Sequence, residues 1–462
     1  MPPVGRASHR LHESWCYTVP IFGGGLPFVR AIGRWTMTAL VINSIIGNGI
    51  FGMPSELTRL LGRASPIAMI VGGLTMAILM ACVAEVASQF SEPGGVYLYV
   101  QEAFGRLAAM QAGWFQLLAS SGGAAANASL FMIYLTGFLS WAGQGPLRAL
   151  LLAILISVPT VANYVGVRKG AALSNLLTVA KLLPLVVLIV LGIVRFGHHF
   201  ELIRASEVSS PGLRAWLSAL LLLFFAYGGA ENALIPAGEV KRPRVTVPFA
   251  LLAGLTACAV VYSLVQFVTV ATIGTSATGR PLADTASVLI GRSGEMFVTV
   301  GVMISTYGWL SGGILNVPRL ACSLAAQGDL PGFLGRLHPR FNTPATAIVL
   351  YASFAWLLAA TGAYLWIAAV TAGAMIVIYA GACAALIRLR RQRPQADALR
   401  LPFGRAFAVA GIAISLAVLT RLHLREALLM GTTATIAVAN WWWACRQAPR
   451  ADGAAAPAAA LR

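Results

Sequence analysis

Charge is what this 462-residue sequence has least of: Asp, Glu, Lys and Arg together make up only 10% of it. With 58% hydrophobic residues and a mean hydropathy of +0.78, there is too little polar side chain to cover a water-facing surface. Acidic residues are scarcer still, 15 against 33 Lys plus Arg. In a soluble chain that excess would suggest nucleic acid. Here the basic residues sit mostly in the connections between apolar runs, so topology explains them and no nucleic-acid partner is expected. Lysine is nearly missing: Lys169, Lys181 and Lys241 are the only ones among the 33 basic residues, a skew towards Arg that suggests a GC-rich bacterial genome and hence a bacterial inner membrane. Alternating polarity is also missing. Runs such as Leu150 to Val158 and Leu182 to Val194 do not alternate, which excludes an outer-membrane barrel. Paired cysteine spacing is absent, because Cys16, Cys82, Cys258, Cys322, Cys383 and Cys445 are scattered, mostly in apolar runs, and read as structural. The first 30 residues lack an apolar leader and read as a short arm. His9, His12, His198, His199, His338 and His423 all fall in terminal or connecting regions, so no intramembrane metal site is expected from them.

What is present is a succession of apolar runs. A hydrocarbon core of about 30 Å needs about 20 apolar residues per spanning helix. The windows predict an all-α polytopic membrane protein with twelve helices, near 36–61, 66–89, 107–141, 147–165, 171–195, 213–236, 246–274, 288–326, 344–362, 365–388, 405–420 and 425–445. The eleventh, between Arg405 and Arg421, is short for a full span. Residues 1–34 form a cytoplasmic arm, 35–400 a ten-helix core, 401–446 two additional helices, and 447–462 an Ala-rich disordered tail. Arg6, Arg10, Arg30 and Arg34, Arg168 with Lys169, Lys241 to Arg244, Arg336 with Arg340, and Arg388 to Arg393 all fall on one side of a twelve-span chain. By the positive-inside rule both termini are cytoplasmic.

Two of the apolar segments are interrupted by glycine in mid-membrane: the first at Gly47, Asn48 and Gly49, the sixth at Gly228 and Gly229. Small residues also serve close helix packing. The two interruptions lie five helices apart, however, as an inverted repeat of five plus five helices with two broken members demands. A break exposes N–H groups with a positive dipole end on one half-helix and free carbonyls on the other, a pairing suited to a zwitterion.

At this point the residues resemble the amino acid, polyamine and organocation transporter superfamily, whose members share a leucine-transporter-like fold. The similarity runs from about Ile32 to Cys445. Its carriers are Gly47-Asn48-Gly49-Ile50-Phe51 followed by Pro54, with Asn where the family has Ser; Glu85 to Gly95 with Tyr97 to Gly105; Phe224 to Pro248; and Ser323 to Pro344. The resemblance implies that a substrate carboxylate meets the backbone N–H groups of Asn48, Gly49 and Ile50, beside the Asn48 side chain. It implies that the substrate ammonium meets carbonyls of Ile45, Phe225, Ala226 and Gly228. Side-chain specificity is then expected from Phe225, Trp309, Gly313 and the small face at Gly122 to Ala124. Arginine-exchanging relatives carry Trp where this sequence has Gly313, which points to a neutral amino acid.

Two intramembrane ionisable residues are candidates for coupling. Lys181, in the fifth span, must pair, deprotonate or snorkel; the resemblance places it where sodium-independent members hold a Lys in place of the cation of sodium-coupled relatives. Glu231, about one turn beyond Gly228, either braces the broken helix or senses protons. Asp284 and Glu295 read as solvated charges. The function expected is secondary active, sodium-independent transport of an amino acid by alternating access, with protons or exchange as the driving couple. A polyamine or organic-cation carrier is the alternative within transport, and a membrane receptor or scaffold the alternative outside it. An enzyme is not expected, since Glu231, Lys181 and Glu85 are too few and too spread, and no cofactor is implied.

Overall fold

The structure, a computed structural model, describes residues 32–90, 95–143, 145–165, 170–196, 211–231, 240–276, 278–392 and 399–447. Outside the described residues lie the arm with Arg6, Arg10, Cys16 and Arg30, the pair Arg168 and Lys169, His198 with His199, positions 232–239 of the sixth-span motif, and the Ala-rich tail.

Among the described residues the regular structure is α-helical: α1 (Arg34–Ile45), α2 (Asn48–Gly52), α3 (Pro54–Leu61), α4 (Ser65–Ala87), α5 (Gly95–Phe104), α6 (Arg106–Leu135), α7 (Gly145–Val165), α8 (Gly170–Phe196), α9 (Leu213–Tyr227), α10 (Pro243–Ile273), α11 (Pro281–Ala326), α12 (Ala345–Ala360), α13 (Tyr364–Gln392), α14 (Gly404–Leu419) and α15 (Leu424–Gln447). Each expected apolar segment contains helix within the described residues, though positions 232–236 of the sixth lie outside them. Among the described residues six helical stretches are long and apolar enough to cross a membrane, and α9, α12 and α14 are shorter apolar helices.

Burial sorts these helices into layers. The apolar windows of α6 and α13 are 78% and 72% buried, whereas that of α7 is only 17% buried. Central α6 packs on α11 and α13, while α4 and α1 pack on α10. Peripheral α7 turns outward a stripe of Leu150, Ile154, Val158, Val161 and Val165, each more than half exposed. The three- and four-residue spacing puts them on one helix face. Such a stripe is untenable in water and natural against lipid.

Several boundaries differ from the windows. The first segment is three helices: Ile46 leaves the helical region at ψ 93°, Gly47 sits at φ −127°, ψ −146°, and helix resumes at Asn48. The interruption is therefore at Ile46 and Gly47, ahead of Asn48 and Gly49. The sixth segment stops at Tyr227, because Gly228 is extended and Gly229 lies at φ 102°, a conformation that glycine adopts without a Cβ penalty. The third helix ends at Leu135 and is followed by a short 3₁₀ turn at Ser140–Gly143. Helix α11 begins at Pro281 and kinks at Ile290 and Gly291, so Asp284 and Glu295 both lie in helix. They are not free solvated charges: Arg280 reaches Glu295 at 3.1 Å and Asp284 at 4.0 Å, and both carboxylates are partly buried. The ten-residue α5 was not among the apolar windows, being too short and too polar to register as one.

Cys82, Cys258, Cys322 and Cys383 are buried and Cys445 is exposed.

Candidate functional site

The site is assembled where α1 stops and α2 starts, against the end of α9. A helix end leaves its last carbonyls and the next helix's first N–H groups without intrahelical partners. Here side chains from other helices take up the carbonyls. The Lys181 ammonium donates to Asn43 O at 2.5 Å and to Ile46 O at 2.9 Å, with Lys181 only 7% exposed. Among the described residues Lys181 thus neither snorkels nor meets a carboxylate; it is held on the carbonyl end of α1. The Tyr262 hydroxyl, from α10, lies 3.1 Å from Ile45 O and 3.3 Å from Ala226 O. One hydroxyl proton serves one of these at a time, so Tyr262 bridges the two broken helices and leaves one carbonyl short of a donor.

The N–H end is bare by comparison. Helix α2 starts after Gly47 with no side-chain cap and continues through Met53 into α3, with Leu57 N–H bonded to Met53 O at 3.0 Å. The N–H groups of Asn48, Gly49 and Ile50 have no intrahelical acceptor. Beside them the Asn48 side chain is 5% exposed, and its Nδ2 has no hydrogen-bond partner among the described residues. An unmet buried donor costs about 1–3 kcal/mol, so an acceptor at this point would be stabilised.

Close approach explains why this segment carries glycine. A Cβ on Gly49 would fall 2.5 Å from Ala226 Cα and 2.8 Å from Ala226 Cβ, which places the two breaks in backbone contact. The segment is also pinned laterally: Tyr364 of α13 donates to Asn48 O at 3.2 Å, and Tyr134 of α6 donates to Phe51 O at 2.8 Å. The Phe225 ring stands edge-on to Tyr364, with centroids 6.5 Å apart.

The expected specificity residues surround the same point. The Trp309 indole passes beside Gly47 and over Gly123, whose Cβ would meet the ring at 2.6 Å. Gly122 leans on Thr371 of α13, and Gly228 on the Met375 sulfur. A Cβ on Gly313 would meet the Tyr351 hydroxyl at 3.1 Å and the Trp309 ring at 3.4 Å. Ile45, Gly47, Asn48, Gly49, Ile50, Phe225, Ala226, Gly228, Trp309 and Gly313 therefore form one connected neighbourhood.

Glu231 stands on the far side of the second break. Its Oε2 accepts from Gly229 N–H at 3.1 Å and from the Tyr379 hydroxyl at 2.6 Å. The contact partners of Glu231 lie on the break itself and on α13, whereas those of Lys181 lie on α1.

The tyrosines Tyr134, Tyr262, Tyr364 and Tyr379 were missed by the sequence reading. Their signal was available, since a phenol inside an apolar run must find an acceptor. Periodicity alone does not say which one.

The remaining motif residues build two clasps at the end of the bundle where basic residues collect. Arg390 grips Glu85 with both forks, Nε to Oε1 at 2.5 Å and Nη2 to Oε2 at 2.7 Å, and Glu85 is 1% exposed. The same carboxylate accepts Leu401 N–H at 3.0 Å, tying α4 to α13 and to the chain that leads into α14. In the second clasp Asp329 accepts Arg106 Nε at 2.6 Å and the Tyr97 hydroxyl, while Asn440 of α15 donates to its backbone carbonyl at 2.7 Å.

Comparison with known proteins bears on the family of the chain. A family model described as amino acid permease matches residues 32–445. The chain is 28% identical over 331 residues to the serine/threonine exchanger SteT of Bacillus subtilis (strain 168), covering 69% of this chain and 74% of that one. It is 29% identical over 346 residues to the large neutral amino acids transporter small subunit 2 of Oryctolagus cuniculus, covering 71% of this chain and 63% of that longer one. An uncharacterized transporter of Mycobacterium tuberculosis (strain ATCC 25618 / H37Rv) is 26% identical over 337 residues, covering 72% of this chain and 74% of its own.

Proposed function

Because the chain belongs to the amino acid permease family, we propose that it is a secondary transporter that carries a neutral amino acid across the membrane by alternating access. Sodium is not required, and the driving couple is a proton gradient or exchange. The observation that carries this reading is the juxtaposition of two helix breaks, with bare N–H groups at Asn48 to Ile50 facing a helix end that offers carbonyls. Twelve spans, with ten in a five-plus-five inverted repeat over 35–400 and two more over 401–446, would put the breaks in the first member of each repeat. Both termini are then cytoplasmic, and a bacterial inner membrane is the location.

In this account the substrate carboxylate binds the N–H groups of Asn48, Gly49 and Ile50 and accepts from the free Asn48 Nδ2. The substrate ammonium binds carbonyls of Phe225 and Gly228, together with whichever of Ile45 O and Ala226 O the Tyr262 hydroxyl leaves open. Phe225, Trp309 and Gly313 face the substrate side chain. Lys181 stands in for a cation at the end of α1, and Lys181 or Glu231 carries the coupling proton. The names of two relatives, a serine/threonine exchanger and a large neutral amino acids transporter subunit, support a neutral substrate.

A polyamine would need a carboxylate to receive its second ammonium. Glu231 accepts from Gly229 and Tyr379 through Oε2 alone, so whether its other oxygen receives a second ammonium is decided by competition with a diamine. Counterflow decides between a carrier and a non-transporting receptor: vesicles loaded with unlabelled amino acid should transiently concentrate the labelled form. Binding without counterflow would favour the receptor, and competition by a diamine as strong as that by the amino acid would favour the organic-cation carrier.

A further inference from the structure

A cavity of about 500 Å³ opens at the basic end of the bundle, away from the helix breaks, lined by Phe104, Ala384, Ile387, Arg388, Arg391 and Gln392. It lies where the end of α5 meets the last two turns of α13. Among the described residues no acidic side chain lines it. Arg388 and Arg391 are both exposed and have no carboxylate partner among the described residues, in contrast to their neighbour Arg390, which is committed to Glu85. The Arg388 guanidinium lies over the Phe104 ring at 5.4 Å, which fixes one charge at the mouth beside an apolar wall, and Phe104 is 40% exposed.

The position along α13 decides what kind of ligand this chemistry meets. Helix α13 has 29 residues, about 43 Å at 1.5 Å per residue, longer than a hydrocarbon core of about 30 Å. Its final turns therefore emerge at the headgroup level, given the membrane-spanning reading on which this inference rests. Two exposed guanidiniums, with no carboxylate partner among the described residues, above an apolar wall match one kind of molecule at that depth: a phosphate with acyl chains beneath it.

We infer that the cavity between Phe104 and Arg388/Arg391 is a binding site for an anionic glycerophospholipid, its phosphate held by the two guanidiniums and its acyl chain laid against Phe104, Ala384 and Ile387. Arginine forks suit phosphate oxygens, and basic pockets between helices at this level select anionic headgroups. Since α5, α6 and α13 also carry the two motif clasps, a bound lipid would steady the same end of the bundle.

The test is native mass spectrometry of the detergent-purified full-length protein, titrated with phosphatidylglycerol, with phosphatidylcholine of the same acyl chains, and with inorganic phosphate. Two interfacial cations should give phosphatidylglycerol a preference of about 30-fold over phosphatidylcholine. Arg388→Gln with Arg391→Gln should abolish that preference. The charge-keeping pair Arg388→Lys with Arg391→Lys should retain most of it, and Arg336→Gln with Arg340→Gln, on another exposed basic stretch, should retain all of it. Phe104→Ala should weaken both lipids. Equal binding of the two lipids by the natural chain would overturn the inference. So would loss of the preference in the Arg336 and Arg340 pair, which would mark mere surface charge, or displacement of phosphatidylglycerol by millimolar inorganic phosphate, which would mark a soluble-anion site.

Discussion

The Lys181 ammonium stands 2.9 Å from Ile46 O, at the residue where the chain leaves α1. A cation on free carbonyls is what a half-helix end attracts. Hydrogen bonds to a charged group contribute about 1.5–3 kcal/mol, roughly 10- to 100-fold in a rate or an equilibrium. Lys181→Ala should therefore cut initial uptake by about that range, and it should flatten whatever dependence on external pH the natural protein has. Unchanged uptake with an unchanged pH profile would remove Lys181 from the mechanism.

Tyr262→Phe deletes the hydroxyl between Ile45 O and Ala226 O and leaves the ring in place. A neutral hydrogen bond contributes about 1 kcal/mol, so uptake should fall about fivefold while the thermal transition moves little. A larger fall in melting temperature than in uptake would mean that Tyr262 only holds the fold.

Gly49→Ala sets a methyl against backbone that has no room to move, 2.5 Å from Ala226 Cα. Overpacking of this kind costs about 1–3 kcal/mol, and it forces apart the two breaks that form the site. Substrate binding, read as ligand-induced thermal stabilisation, should be lost in a protein that still inserts and purifies. Binding at the natural level would show that the breaks need not touch.

Gly313→Trp inserts an indole into the space bounded by the Tyr351 hydroxyl and the Trp309 ring. The panel of amino acids that compete for uptake should shift away from large side chains. An unaltered competition order would place specificity elsewhere.

Glu85→Gln breaks the fork with Arg390 at a position that is 1% exposed. Removing one partner of a buried ion pair costs about 3–5 kcal/mol, less here because Arg390 is partly exposed. A drop of several degrees in the thermal transition is expected, with little change in substrate competition. The paired change Glu85→Gln with Arg390→Gln should be less than additive; strict additivity would mean that the two residues act independently.

The sequence made some of these features visible because their chemistry is costly in a bilayer. Glycine in mid-span and a lone lysine in an apolar run each demand an explanation, so the breaks and Lys181 could be located before any geometry was known. Tyr262 and Tyr364 could not be placed in that way: a tyrosine fits an apolar window whether its hydroxyl meets a helix break or a neighbouring turn. The kink at Ile290 and Gly291 was hidden because the apolar window, beginning at 288, ran across it and across the polar stretch Gly291 to Glu295; Arg280 pairs with Asp284 one turn on and with Glu295 across the kink. Helix α5 was hidden for the opposite reason, its ten residues being too few to fill a spanning window. Glu85 was read as a motif residue too isolated for chemistry, and Asp329 lay unnamed within Ser323 to Pro344; their clasps with Arg390 and Arg106 join residues hundreds of positions apart.

The most direct test of the account is uptake of radiolabelled amino acids and diamines into proteoliposomes, with and without an inward proton gradient and with or without unlabelled solute preloaded. The account predicts accumulation of a neutral amino acid that needs no sodium, is driven by the gradient or by preload, and falls in Lys181→Ala. Sodium-dependent accumulation, preference for a diamine, or no accumulation of any solute under every condition would contradict it.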